Sequence, residues 1–248
     1  MSKPQRAHVS SFALKIAAIV GMTLCHVGVV FQTALPLWAY CALEAFGGLT
    51  FPIMAFLVSE GYRHTHNLRR YAGRLFVFAL VAQVPYSLVF APTPISLGDA
   101  ALSLPFTGNV LFTLLLGLGL IAAHDRMRCR PGFWALFCAA TLLSAALDWG
   151  VIGPVMILMC HVLDEPARRV YPAGLAVLAL GLPALSAVLA GDAAQAGALA
   201  YELVGGTCAI ALLRAYDGTR GRSLKWFFYL YYPLHIALLG ILARVVVG

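Results

Sequence analysis

Apolar residues run along this chain in long blocks, broken by short polar segments. Nine such stretches stand out, roughly at 12–32, 37–61, 71–91, 107–123, 133–147, 149–163, 171–190, 195–214 and 226–247. Most reach the ~20 residues that a helix needs to cross a hydrocarbon layer, and the fifth and sixth fall short of it. The expected fold class is all-α: a polytopic integral membrane helical bundle of about nine transmembrane helices, built as a single domain over residues 1–248. Asp148-Trp149-Gly150 reads as a tight reversal between the fifth and sixth stretches. The segment 62–74 (YRHTHNLRRYAGR) reads as a basic loop, and 92–106 (PTPISLGDAALSLPF) as irregular or re-entrant.

Composition sharpens this picture. The chain is 61% hydrophobic and 11% charged, whereas soluble domains carry about a quarter charged residues. A net charge of +7 could point to nucleic acid, but the basic residues are dispersed over short connections and form no single patch. Their distribution instead orients the chain. With nine spans, one side holds Lys3, Arg6, Lys15, Arg63, Arg69, Arg70, Arg74, Arg126, Arg128, Arg130, Arg168, Arg169, Arg214, Arg220, Arg222 and Lys225. The other holds Arg244 with Asp99, Asp148 and Asp192. The positive-inside rule then places the N-terminus in the cytoplasm and the C-terminus outside. The opening MSKPQRAHVSS resembles the basic region of a signal peptide, but the apolar stretch after it has no small-residue cleavage site and reads as a retained first span. The six cysteines form no Cys-x-x-Cys pair, so neither a disulfide framework nor a metal site is expected.

Ionisable groups at membrane depth are costly and draw attention by default. Lys15 and His26 lie eleven residues apart in the first stretch, on nearly the same helix face and about 16 Å apart along the axis. His26 suits a helix–helix hydrogen bond, or a general base or proton shuttle. Cys25 beside it points to a different face. His235 follows Pro233 in the last stretch, behind Tyr229, Tyr231 and Tyr232, which also suit an interfacial belt. Glu44 lies in the second stretch with Gly47, Gly48 and Pro52, which permit close packing and a bend. Glu60 ends that stretch as a boundary charge or an arginine's partner. Asn109 and Asp148 suit helix caps or polar groups facing His26 from outside. Gln83 and Glu202 complete the set. Arg63, His64, His66, Arg69, Arg70 and Arg74 either fix topology or bind phosphate, which arginine forks match. No P-loop or G-x-G-x-x-G is present to hold a nucleotide.

Five segments together carry a resemblance: Lys15 through His26, FPIMAFLVSEGYRHTHNLRRYAGRL at 51–75, GNVLFTLLLGL at 108–118, DWGVIGPVMIL at 148–158 and FFYLYYPLH at 227–235. In this order and spacing the chain resembles the TraX family of integral-membrane pilin acetyltransferases, itself similar to the acyltransferase-3 and heparan-glucosaminide acetyltransferase group. The resemblance implies a bacterial inner-membrane enzyme that transfers acetyl from cytoplasmic acetyl-CoA to the N-terminal amine of a conjugative pilin subunit. Lys15, Arg63, His64, Arg69, Arg70 and Arg74 would meet the donor's phosphates. His26 would act as base or carry the acetyl group, with His235 and Tyr229 as supporting or oxyanion contacts. Where the family commonly has Asp-His, this chain has Cys25-His26, so Glu44 or Asp148 would have to orient the histidine. His66 stands where relatives often have arginine, a role open to Arg63 or Arg69. Rival readings are another pilin modification such as cyclisation, acylation of a surface sugar, a proton-coupled transporter, and a non-catalytic pilin assembly factor.

Overall fold

The computed structural model describes residues 9–90 and 107–246. The 92–106 segment and the basic residues Lys3 and Arg6 lie outside the described residues. Among the described residues there are nine α-helices: α1 (Ser11–Val30), α2 (Leu37–His64), α3 (Leu68–Val89), α4 (Val110–Arg126), α5 (Arg130–Leu143), α6 (Ile152–Val162), α7 (Ala167–Leu189), α8 (Ala193–Arg214) and α9 (Lys225–Val246). A 3₁₀ turn at Ser144–Ala146 follows α5. The only extended pairing among the described residues is two isolated bridges, Val9 with Tyr216 and Gly108 with Leu147.

The helices begin where the sequence supplies caps. Ser10, Asn67, Asn109 and Asp192 each accept a hydrogen bond from a backbone N–H in the first turn of α1, α3, α4 and α8. Among the described residues six helices are long and apolar enough to cross a membrane: α1, α2, α3, α7, α8 and α9. Large apolar side chains stay exposed in rows, such as Val77, Leu80, Val81, Val84 and Leu88 on α3, and Leu178, Leu182, Leu185 and Leu189 on α7. In water such surface would be a liability; in lipid it is the solvent-facing side. The chain is therefore a multi-pass membrane protein. The nine apolar stretches correspond to the nine helices, but α4, α5 and α6, with 17, 14 and 11 residues, are shorter than a full crossing.

The basic segment 62–74 is not a loop. It is helical except at Thr65–Asn67, where Asn67 caps α3. The reversal at 148–150 is as tight as expected: Trp149 (φ 64°) and Gly150 (φ 44°) both adopt left-handed backbone.

The fold resolves into two compact units, one running to Leu57 and resuming over Val162–Phe228, the other holding Val58–His161 and the chain from Tyr229 onward. In the first unit, α2 and α8 cross at contact distance between backbones. A Cβ on Gly48 would collide with the Glu202 carbonyl, and one on Gly205 with the Ala45 carbonyl. Small residues let membrane helices approach this closely, replacing a hydrophobic force that lipid does not provide. In the second unit, Gly117 of α4 receives Ile157 of α6, with Leu114, Leu118, Ile121 and Met156 fully buried around it.

Candidate functional site

In the first unit, α1 carries Lys15 and His26 in one uninterrupted helix, roughly 16 Å apart along its axis, both half-buried. Lys15 holds its ammonium over the Phe228 ring, 5.7 Å from the centroid, and Arg220 adds a second cation nearby. Glu44 is buried, and its Oε1 has no hydrogen-bond partner among the described residues. It reaches the turn of α1 that holds the histidine: a Cβ on Gly28 would sit 3.1 Å from Glu44 Oε1. The Glu202 carboxyl lies beside that of Glu44. A Cβ on Gly47 would lie 3.2 Å from Glu202 Oε1 and 2.9 Å from Cys25 Sγ. The glycine crossing of α2 and α8 thus brings a carboxyl pair close to Cys25 and Gly28 of α1.

In the second unit, α9 runs past α3 and presents a ladder of rings. Tyr229 stacks on Phe78 (5.2 Å, 22°) and lies under the Arg74 guanidinium at 5.9 Å. Two predicted site residues, Arg74 and Tyr229, therefore meet. Two turns further, His235 is buried, stacked on Tyr231 (5.1 Å, 15°) and tilted against Tyr232 (5.6 Å). Its Nδ1 lies 3.0 Å from the Tyr231 carbonyl. A carbonyl can only accept, so Nδ1 carries the proton and Nε2 of the neutral ring keeps its lone pair. Tyr232 is buried near Tyr86 and Asp148, with the Val110 backbone N–H beside its hydroxyl.

Asn109 is fully buried and fully engaged. Its Nδ2 donates to Ala79 O and Gln83 Oε1, and its Oδ1 accepts from Leu111 N. Its cap role thus accounts for the whole side chain. Asp148 closes the turn next to it, donating its N–H to Gly108 O. Burial raises the Asp148 carboxyl to about 6, partly offset by a backbone hydrogen bond from Trp149.

The opposite end of this unit is basic. An open depression of about 510 Å³ is lined by Tyr62, Arg63, His66, Asp125, Arg126 and His161, among others. Arg63 donates to the His161 carbonyl at 2.9 Å. The other predicted phosphate contacts are distributed differently. His64 faces Glu60 at 3.7 Å, Arg69 and Arg70 are exposed on the first turn of α3, and Arg74 belongs to Tyr229. Asp125, Arg126 and His161 were not legible as site residues, because the sequence separates them from Arg63 by some 60 to 100 positions. The signal that could have found them is the recurrence of His/Asp/Arg at the ends of three apolar stretches.

Relatives fit this frame. The TraX protein family model matches residues 10–243. The chain belongs to the TraX family. It is 33% identical over 237 residues to "Probable fimbrial assembly protein FimC, serogroup H1" of Dichelobacter nodosus, covering 93% of this chain and 94% of that protein. It is 28% identical over 245 residues to "Protein TraX" of Escherichia coli, covering 93% and 86%. No solved structure matches. The matched region takes in every residue of the candidate site.

Proposed function

We propose that this TraX family chain is an inner-membrane acetyltransferase that moves an acetyl group from cytoplasmic acetyl-CoA to the N-terminal amine of a pilin subunit. The observation that carries the reading is the family match over nearly the whole chain, joined to ionisable groups buried where a merely structural bundle would place none. The name of the Dichelobacter nodosus relative supports the link to pilus assembly.

Acetyl-CoA is a polyanion at one end and a thioester at the other, and the residues suit both ends. Lys15, with Arg220 as a second cation near it, offers charge to the phosphates. The donor supplies the activated acyl group. His26, about 16 Å along α1 from Lys15, takes the proton from the attacking amine as the amide bond forms and the thioester C–S bond breaks, and passes that proton to the departing CoA thiolate. Glu44 and Glu202 orient His26 and receive the positive charge that develops. His235, with its proton fixed on Nδ1, keeps the neighbouring rings in register. The test is transfer of labelled acetyl from acetyl-CoA to a pilin N-terminal peptide by purified chain in nanodiscs. Labelled amide is expected with wild type, and its loss with His26→Ala. No label from wild type, with acetyl-CoA binding intact, refutes the activity.

A further inference from the structure

The last turns of α4 and α6 bring three metal-ligating side chains together at the basic end of the second unit, and neither the fold nor the proposed transfer reaction uses them. His161 Nε2 lies 2.8 Å from Asp125 Oδ1, and His124 Nδ1 lies 3.2 Å from the same oxygen. All three donor atoms fall within 4.8 Å of one another. A tetrahedral zinc site has bonds of ~2.0–2.1 Å, so its ligand atoms stand about 3.3 Å apart. The two separations from Asp125 Oδ1 are close to that spacing, and the two imidazole nitrogens lie within 4.8 Å of each other.

The surroundings hold the donors in place. Tyr62 donates its hydroxyl to Asp125 Oδ2 at 2.9 Å, which turns Oδ1 toward both imidazoles. The His161 ring packs edge-on against Tyr62 (5.3 Å) and the His124 ring against Phe133 (5.2 Å). Outer contacts of this kind orient metal ligands in known sites. As a plain hydrogen-bond cluster the arrangement is poorly closed. One carboxylate oxygen takes both imidazole N–H groups, and His161 Nδ1 is buried with no partner among the described residues.

We propose that His124, Asp125 and His161 bind one divalent ion of the zinc class, leaving a coordination position open toward the depression that Asp125 and His161 line. Two neutral imidazoles and one carboxylate leave the loaded site with a net single positive charge. With Arg63 and Arg126 on the same depression, the open position calls for an anionic oxygen as its ligand. The site stands independently of the acetyl-transfer reading, since ion binding requires no acetyl donor.

The full chain in detergent, stripped with chelator, is titrated with Zn²⁺ by calorimetry and with Co²⁺ by visible absorption, in the absence of acetyl-CoA. One ion per chain is expected, with the d–d bands of four-coordinate nitrogen and oxygen ligation and no thiolate charge-transfer band. His161→Ala and Asp125→Asn should each weaken binding more than about tenfold, the loss that even an outer-contact change imposes. Tyr62→Phe should weaken it less, and His64→Ala, exposed and outside the cluster, should leave it unchanged. Wild-type protein that takes up no ion at one equivalent overturns the site, whatever the variants do. So does a thiolate band, or binding unaltered in both His161→Ala and Asp125→Asn.

Discussion

Gly205 is where a single added methyl group should do the most damage to the first unit. Replacing glycine by alanine inside a helix ordinarily stabilises by about 0.8–1 kcal/mol. At Gly119 of α4 nothing lies within 4 Å of the new Cβ, so that gain should appear undiminished. At Gly205 the Cβ would enter the Ala45 carbonyl, with Leu49 N at 3.0 Å. The obstacle is backbone on both sides, so no side-chain rotation relieves it. The α2 and α8 helices must part until the Cβ clears roughly 3 Å. Overpacking of this kind costs about 1–3 kcal/mol or more, so the sign reverses and a net loss of about 1–2 kcal/mol is expected. For a chain of this size that corresponds to a fall of about 2–8 °C in melting temperature. The assay is paired thermal unfolding of Gly205→Ala and Gly119→Ala in one detergent. The same shift should move Glu202 away from Glu44 and lower any transfer activity. Gly205→Ala melting at or above Gly119→Ala would refute the crossing as the feature that holds the carboxyl pair.

Three further outcomes follow from the site geometry. Tyr232→Phe removes a buried hydroxyl beside the Val110 N–H, so stability should change by no more than about 1 kcal/mol, read by thermal unfolding; a larger loss would contradict this placement. Lys15→Ala should weaken acetyl-CoA binding about tenfold or more, as loss of a charge-assisted contact does, whereas exposed Arg69→Ala should change it little, both read by equilibrium binding. Asp148 is raised to about 6 by burial, so the unfolded chain ionises first and stability falls as pH rises from about 4 to about 6, then levels. Asp148→Asn should flatten this profile and be the more stable protein at pH 8, by up to about 2–3 kcal/mol; a wild-type profile rising with pH over that window would contradict it.

The helices were legible because lipid imposes a rule that composition alone satisfies: every backbone polar group must be bonded internally. The caps Asn67, Asn109 and Asp192 and the tight turn at Trp149-Gly150 follow from local chemistry and could be read in place or nearly so. Segment 62–74 was misjudged as a loop because its arginines look like a topological flank, yet helix continues through them on both sides of Asn67. Pairings between distant elements were hidden. Glu44 could be suspected, but its partner Glu202 is chosen by glycines on two helices 158 positions apart, a match that no single segment announces. Asp125 and His161 were overlooked for the same reason, since each alone is an ordinary polar end to an apolar helix.

The most direct test of the central claim is the intact mass of the pilin subunit recovered from cells expressing wild-type chain or His26→Ala at equal membrane levels. The account predicts a gain of one acetyl group on the pilin amino terminus with wild type and unmodified pilin with the variant. Equal acetylation in both, or a pilin that instead loses the mass of one water, would contradict it.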